Sequence, residues 1–195
     1  MKRLVILFFT MFLFSSFAFS QDVNFGLKTG VNFANLTNSN DLNYKFGLNF
    51  GAVASLAISD MFSLQGELLY SAQGYKQDFN GQKVKGKIDY FIIPIIGDFE
   101  IAEDFSLQIG PQLGVNIRKD REIDGTVQGS IFVNDIDFSA VFGIQYFLDS
   151  NVFFQMRYAP GLTEVLSNID QKNTVISASL GVFLTRTEKE TDQEF

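Results

Sequence analysis

The stretch that most restricts the fold is YKFGLNFGAVASLAI, residues 44–58, in which large or apolar side chains occupy every even-numbered position. Most odd-numbered positions hold small or polar residues, and Val53 interrupts the pattern. Successive side chains of a β-strand point to opposite faces, so the alternation predicts a long strand with two unlike faces. The apolar face of such a strand lies in a core in a soluble sheet and contacts lipid in a membrane barrel.

Eight segments of the chain show this alternation. The predicted strands cover about 23–33, 44–58, 62–77, 87–101, 105–118, 135–148, 152–162 and 174–186. Short turns are predicted at 59–61, 102–104 and 149–151, and long polar loops at 34–43, 78–86, 119–134 and 163–173. Short turns at one end and long loops at the other are typical of transmembrane β-barrels. An even number of strands leaves both termini at the short-turn end, which is the periplasmic side of an exported chain.

The composition of the polar face favours a membrane barrel. Its residues are mostly Gly, Ser, Ala, Asn and Gln, which fit the narrow interior of an eight-stranded barrel. The exterior of a soluble sheet would carry more Lys, Glu and Asp. The predicted fold class is therefore all-β, an eight-stranded antiparallel transmembrane β-barrel with short periplasmic turns and longer extracellular loops. A soluble barrel or sandwich, with the apolar faces turned inward, is the alternative.

The N-terminal residues MKRLVILFFTMFLFSSFAFSQ have the features of a secretory signal peptide. Lys2 and Arg3 precede an apolar run, and Ala18 and Ser20 form a small-residue cleavage site before Gln21. The apolar run is shorter than the ~20 residues of a spanning helix, which disfavours a retained anchor. We expect a signal peptide at 1–20, an outer-membrane barrel at 21–186 and an acidic periplasmic tail at 187–195, so the expected location is the outer membrane.

Missing residue types exclude several kinds of chemistry. The chain has no His and no Cys, which removes the commonest general base, the thiolate nucleophile and the usual zinc ligands. We therefore expect no enzyme activity, no cofactor and no metal, and a membrane-embedded lipid enzyme is the least favoured alternative. The formal net charge of −7 also argues against a nucleic-acid partner.

Charged residues on the polar face form the candidate site. The side chains predicted to point into the barrel are Lys28, Lys45, Glu67, Asp98, Glu100, Arg118, Asp137 and Arg157. Charges in a narrow interior must pair or stay hydrated, so we interpret them as a network of salt bridges and hydrogen bonds that fills the lumen. A narrow polar pathway for ions or small solutes is the alternative. Glu67 with Lys45 or Arg118 is the pair expected across the lumen.

Two further local features lead to predictions. Pro94 and Pro111 lie inside predicted strands and are expected to mark bulges or bends, whereas Pro160 is expected to mark the exit from its strand. Ile131, Phe132 and Val133 are apolar residues within the predicted loop 119–134. We expect them to extend the following strand as a hairpin above the membrane, and an exposed apolar tip for a partner is the alternative.

Four stretches resemble a known family. They are GLKTGVNFANL at 26–36, SLQGELLYSAQG at 63–74, YFIIPIIGDFEI at 90–101 and LQIGPQLGVNI at 107–117. On these residues the chain resembles the outer-membrane β-barrel family of Bacteroidetes that is often labelled PorT-like. The resemblance covers essentially the whole mature chain and implies the barrel fold and the outer-membrane location. It says little about function, although the family label suggests a part in protein secretion.

The expected function is structural or interaction-based, namely a filled barrel that displays its extracellular loops. A narrow channel or a secretion or transport accessory is the first alternative. The expected partners are outer-membrane lipid, the barrel-insertion machinery and an extracellular or envelope protein that binds loops 119–134 and 163–173. A monomer is expected because closure of the barrel removes every free strand edge.

Overall fold

The computed structural model of the chain describes residues 23–37, 42–79, 82–165 and 171–184. The predicted signal peptide at 1–20 and the acidic tail at 187–195 lie outside these residues. In the part of the chain that the structure describes, no helix has the length and apolar character needed to cross a membrane.

Nine β-strands build the part of the chain that the structure describes. They are β1 Val23–Leu36, β2 Leu42–Ser59, β3 Phe62–Phe79, β4 Gln82–Ala102, β5 Phe105–Ile123, β6 Thr126–Ser130, β7 Ile136–Phe147, β8 Val152–Glu164 and β9 Lys172–Phe183. Eight of them form a closed antiparallel ring in the order β1, β2, β3, β4, β5, β7, β8 and β9, with β9 pairing back to β1. Strand β6 lies outside the ring and pairs with β5. The predicted eight-stranded antiparallel barrel is confirmed.

The exposure of alternate side chains decides which face points outward. In β2, Leu48 and Phe50 are each 55% exposed, whereas Asn49 between them is 3% exposed. The other strands follow the same rule, with apolar side chains on the outer wall and polar ones in the interior. The soluble alternative is therefore wrong, because it requires the apolar faces to be buried.

The interior also contains apolar side chains near both ends of the barrel. Val53, the residue that interrupts the alternation of β2, is buried against Phe153 and Phe183 near the short turns. A second cluster near the long-loop end includes Leu36, Tyr90 and the loop residue Val133. These clusters leave the polar side chains between them shielded from water.

Several strands are longer than predicted. Strand β3 continues to Phe79 and strand β4 begins at Gln82, so most of the predicted loop 78–86 is a two-stranded ribbon. The predicted loop 119–134 likewise contains the end of β5 and all of β6. Polar and charged residues predominate in these extensions, so they lack the sustained apolar alternation that marks the strands nearer the turns.

A hairpin does form within residues 119–134, but it is built from other residues than those predicted. It joins β5 to β6 through Asp124 and Gly125, whose φ angles of 47° and 87° match the Asp-Gly pair of a tight hairpin turn. Ile131, Phe132 and Val133 follow this hairpin and do not extend the next strand. The Asp-Gly pair was the available sequence signal.

Proline positions affect the sheet differently from the prediction. Pro94 pairs with Gln112 and Pro111 with Ala140 without a shift in register, so neither proline marks a bulge, and the alternative of a bend at these residues stays a prediction. Each proline forfeits at most one ladder hydrogen bond, which a barrel strand paired on both sides tolerates. A register shift instead follows Pro160, where β8 continues to Glu164 and does not end.

Candidate functional site

A salt bridge crosses the interior of the barrel. Glu67 lies on β3 and Arg157 on β8, which are four places apart in the eight-stranded ring and thus on opposite walls. The Arg157 Nη1 and Nη2 atoms donate to the two Glu67 carboxylate oxygens over 2.9 and 2.8 Å. Gly143 makes room for this arginine, because a Cβ atom there would lie 2.7 Å from Arg157 Cγ. Bidentate guanidinium–carboxylate pairs are among the strongest side-chain contacts.

Lys28 completes a buried ionic triad. Its Nζ atom lies 2.8 Å from Glu67 Oε2, and the side chains of Lys28, Glu67 and Arg157 are 2%, 0% and 7% exposed. Lys28 also donates to Gln155 Oε1 over 2.8 Å. Two cations share one carboxylate, so the triad by itself carries a net positive charge.

A second carboxylate balances this charge through a glutamine. Arg157 Nε donates to Gln108 Oε1 over 2.9 Å, and Gln108 Nε2 donates to Asp98 Oδ2 over 2.5 Å. Other amides connect the walls: Gln65 donates to Glu67, and Gln108 and Gln155 both donate to Gln145. With Asp98 included, the network has two cations and two anions. Buried charges in this arrangement are paired and hydrogen-bonded, as their burial requires.

The remaining predicted site residues occupy other places. Lys45 is buried and donates to the Gln73 carbonyl oxygen over 2.5 Å, away from Glu67. Glu100 is half-buried near the end of β4, opposite Ser106. Asp137 is buried in a separate cluster with Ser139, Thr163 and Asn173. The predicted Glu67–Lys45 pair is therefore wrong.

Arg118 lies on the outer surface, which corrects its predicted position in the lumen. Asp89 pairs with Arg118 but Tyr90 pairs with Asn116, so the β4–β5 ladder has a bulge at Ile117. One extra residue moves every later side chain of a strand to the other face. The Arg118 side chain is 45% exposed and donates to Asp120 over 2.7 Å, and the predicted Glu67–Arg118 pair is wrong.

Sequence reasoning missed the glutamines that link the ionic groups. Gln65, Gln108, Gln145 and Gln155 all lie on the predicted polar faces, but they carry no charge and were not singled out. The available signal was an amide side chain at an inward position of each of four strands. A buried amide group needs hydrogen-bond partners within the protein, so such residues are expected to join a network.

A small cavity adjoins the triad on the inside of the barrel. Its volume is about 30 Å³, and its lining includes Lys28, Arg157, Asn32 and Asn49. A water needs roughly 10–15 Å³ of such volume and two to four polar partners, so the cavity has room for one or two waters beside the triad.

The ribbon above the bulge carries paired charges on its outer face. Lys85 Nζ lies 3.2 Å from Glu122 Oε1, and Lys87 contacts the other Glu122 oxygen. Hydrogen bonds from Lys87 and then Lys85 lower the pKa of Glu122 below its ordinary value. The hydrogen bond to Asp120 raises the pKa of Arg118. Phe132, which follows β6, is 90% exposed.

Metal binding has little support within the described residues, where no group of three or more His, Cys, Asp or Glu side chains is placed to hold an ion.

Comparisons with known proteins agree with the barrel geometry. Residues 19–167 match the family model described as outer membrane protein beta-barrel domain. No curated protein shows a sequence match to the chain. The crystal structure of Neisserial surface protein A (NspA) is similar with a TM-score of 0.57 at 17% identity, covering 83% of this chain and 98% of that one. Ail, the attachment invasion locus protein of Yersinia pestis, gives a TM-score of 0.54 at 14% identity, covering 83% and 99%. At these identities the likeness concerns the fold.

Proposed function

The chain belongs to the family of outer membrane protein beta-barrel domains, and from that premise we propose that it is a non-conducting barrel that presents an extracellular hairpin to a protein partner. Outer-membrane location follows from the family and from the apolar outer wall. The finer role, structural or interaction-based and non-enzymatic, is the proposal.

The Glu67–Arg157 ion pair is the observation that supports a non-conducting barrel. It joins opposite walls, and Lys28, Gln108 and Asp98 extend it around the interior. An ion would have to break a bidentate pair that is shielded from water in order to pass. Conduction instead requires sites that are weak enough for the ion to leave.

The hairpin β5–β6 and the residues after it supply the proposed partner surface. Phe132 is 90% exposed, and Val127 on β6 is also exposed. Aromatic side chains act as anchors in protein interfaces, surrounded by a polar rim. Asp135, which follows Phe132 closely in the chain, forms an exposed ion pair with Lys119, so a protein surface with an apolar pocket and mixed charge is the fitting partner.

The other proposed partners follow from the barrel itself. Lipid contacts the outer wall, and the barrel-insertion machinery delivers the chain to the membrane. The closed ring favours a monomer, since it has no free edge. The finer resemblance to PorT-like barrels of Bacteroidetes, and the secretion accessory role that its label suggests, rest on the four stretches quoted above and remain a prediction.

Planar-bilayer recording tests the non-conducting barrel. The mature chain, refolded and inserted into a bilayer, should give no conductance steps. The matched variant Arg157→Ala removes the side chain that crosses the lumen. It should give conductance steps, which would show that the recording samples membrane-inserted protein. Steps from the unaltered protein that change in Glu67→Gln would instead establish the narrow channel.

Site-specific photo-crosslinking in intact cells tests the partner surface. A photoreactive residue in place of Phe132 should form adducts with protein, whereas one in place of the lipid-facing Leu107 should not. Equal protein adducts at both positions, or none at position 132, would contradict the role proposed for the hairpin.

A further inference from the structure

The wall of the barrel is interrupted between β7 and β8. Their ladder runs from Phe147–Phe153 to Ser139–Gly161, and its register includes no pair beyond this point among the described residues. Both strands nevertheless continue, β7 back to Ile136 and β8 on to Glu164. The two strands therefore have no backbone pairs over residues 136–138 of β7, at the long-loop end of the barrel.

A bulge in β8 explains the separation. Pro160 pairs with Thr174 of β9, and the next pair joins Glu164 to Lys172. Residues 161–163 thus face a single residue of β9, Asn173. A proline has no N–H to donate, and glycine at the next position adapts to the bend.

The gap is closed again above, so that it forms a window in the wall. Asn134, in the segment before β7, donates through its backbone N–H to the Val165 carbonyl over 2.9 Å. Its side-chain amide donates to the Glu164 carbonyl over 2.7 Å. We call the opening between residues 136–138 and 161–164 the lateral window.

One hydroxyl group bridges the lateral window. Thr163 Oγ1 accepts from the Phe138 N–H over 2.9 Å and donates to Asp137 Oδ1 over 2.8 Å. This side chain substitutes for the backbone ladder at that level. A single hydroxyl is easier to displace than a run of ladder hydrogen bonds.

The polar cluster behind the lateral window is incompletely satisfied. Asp137 is buried and forms no ion pair with any described Lys or Arg. Asn173 donates to Asp137 over 3.4 Å, but its Oδ1 atom has no hydrogen-bond partner within the described chain. The Tyr90 hydroxyl lies within reach of the Asn173 and Asn116 side chains, and Tyr90 and Asn173 are both 1% exposed. A buried carbonyl oxygen without a hydrogen bond is destabilising, which favours a ligand that donates to Asn173 Oδ1.

The outer side of the lateral window is open, and its lining is mixed. A groove of about 780 Å³ lies there, with the exposed apolar side chains of Ile136, Phe138 and Leu162 on its wall. The rest of its lining is polar or charged and consists of Asn134, Asp135, Thr163, Glu164 and Lys172. The apolar residues continue the lipid-facing wall of β7 and β8, so an alkyl chain can lie along them while a polar head reaches Thr163.

We propose that the lateral window binds single-chain amphiphiles from the membrane whose polar head donates hydrogen bonds, such as long-chain alcohols and amines. The alkyl chain lies in the groove on Phe138 and Leu162. The head displaces the Thr163 hydroxyl. An ammonium head donates both to Asp137 and to Asn173 Oδ1, whereas an alcohol has one O–H and donates to Asp137 alone. A fatty acid of equal length binds more weakly at Asp137, because two carboxylates meet there, although Lys172 lines the same groove. This site is separate from the hairpin and from the Glu67 network.

Photolabelling in lipid vesicles tests the proposal. The refolded mature protein is exposed to hexadecanol, hexadecylamine and palmitate, each with the same photoreactive group on the chain, and labelled residues are mapped by mass spectrometry. The alcohol and the amine should label 136–138 and 161–164, with palmitate about tenfold weaker, the ratio expected for one charge-assisted hydrogen bond. Uniform labelling around the barrel, or equal labelling by palmitate, would overturn the proposal.

Three variants sharpen the test. Asp137→Asn should reduce labelling by the amine about tenfold and remove the discrimination against palmitate. Leu162→Trp changes an exposed residue, so it should fold normally while filling the groove and blocking all three labels. Thr29→Val is the matched control, because its hydroxyl bonds the Asn49 carbonyl on an intact seam, and it should label like the unaltered protein. Unchanged labelling in both Asp137→Asn and Leu162→Trp would overturn the proposal.

Discussion

Glu67 and Asp137 are both buried carboxylates inside the barrel, but their surroundings differ in charge. Glu67 accepts from Lys28, from both terminal nitrogens of Arg157 and from Gln65. Asp137 has hydroxyl and amide neighbours, and no cation of the described chain pairs with it. The same low-dielectric interior therefore contains one neutralised carboxylate and one that is only hydrogen-bonded.

The backbone pairing of the strands also differs between the two carboxylates. Glu67 pairs with Val53 in a ladder that continues on both sides of it. Asp137 lies beyond the last pair of β7 with β8, where a threonine hydroxyl replaces the backbone ladder. The β2–β3 ladder is thus continuous beside the neutralised carboxylate, although the β3–β4 ladder has no pair at Glu67, opposite Pro94. The contrast in charge favours a structural role for Glu67 and supports the binding role proposed for Asp137.

The largest predicted effect is that of Glu67→Gln. The variant keeps the shape of the side chain but leaves Lys28 and Arg157 buried without their carboxylate. Loss of one partner of a buried ion pair costs about 3–5 kcal/mol, so the free energy of unfolding in urea should fall by about that amount. Glu103→Gln, at an exposed turn position, is the control and should change it by less than about 0.5 kcal/mol. Equal stability of the two variants would contradict the role of the triad.

Asp137→Asn should have a smaller effect of opposite sign. Asparagine retains an oxygen that accepts from Thr163, and it removes a buried charge that no cation neutralises. We expect the free energy of unfolding to rise by up to about 1 kcal/mol, since an uncompensated buried charge is unfavourable. Urea unfolding of both carboxylate variants under identical conditions measures the difference. A loss for Asp137→Asn as large as that for Glu67→Gln would erase the distinction between the two sites.

The period-two alternation was sufficient to predict the barrel and the burial of Glu67, Lys28 and Arg157. It was not sufficient to predict their pairing. Parity decides whether a side chain points inward, but the partner on the opposite wall depends on the stagger of the strands around the ring. Glu67 was therefore assigned to Lys45 or Arg118, although Arg157 is the residue that crosses the lumen.

Bulges limited the prediction at two further places. The extra residue Ile117 turns Arg118 outward, and no turn or proline signal marks it in the sequence. The bulge after Pro160 does have a signal, the Pro-Gly pair, but that pair was interpreted as the end of the strand. Asp137 was consequently assigned to the same network as Glu67. The gap between β7 and β8 depends on the register of these strands, and the alternation of side chains does not determine that register.

Tyr90→Phe sharpens the comparison on the side of Asp137. It removes a hydroxyl that lies near the Asn173 and Asn116 side chains but forms no hydrogen bond of good geometry within the described chain. The free energy of unfolding should therefore stay constant or rise by up to about 1 kcal/mol. Tyr70→Phe is the matched variant, because the Tyr70 hydroxyl donates to Asp89 Oδ2 over 2.8 Å. Its removal should lower the free energy of unfolding by about 1 kcal/mol. Losses of the same size in both variants would mean that Tyr90 is satisfied after all.

The smallest predicted effect concerns a third carboxylate, Glu122, which lies on the ribbon above the membrane and pairs with Lys87 and Lys85. These hydrogen bonds lower its pKa in the folded protein from an ordinary value of 4.5. Its contribution to the stability of the ribbon is therefore complete above pH 4.5 and is lost as the pH falls through the lowered pKa. After correction for the intrinsic pH dependence, amide hydrogen exchange at β6 should become slightly faster at pH values lower than 4.5. Glu122→Gln should remove this acceleration, and a pH-dependent acceleration that persists in Glu122→Gln would assign it to another group. An effect confined to the ribbon would place Glu122 between the two interior carboxylates, because it is paired like Glu67 but its lysine partners are partly exposed to solvent.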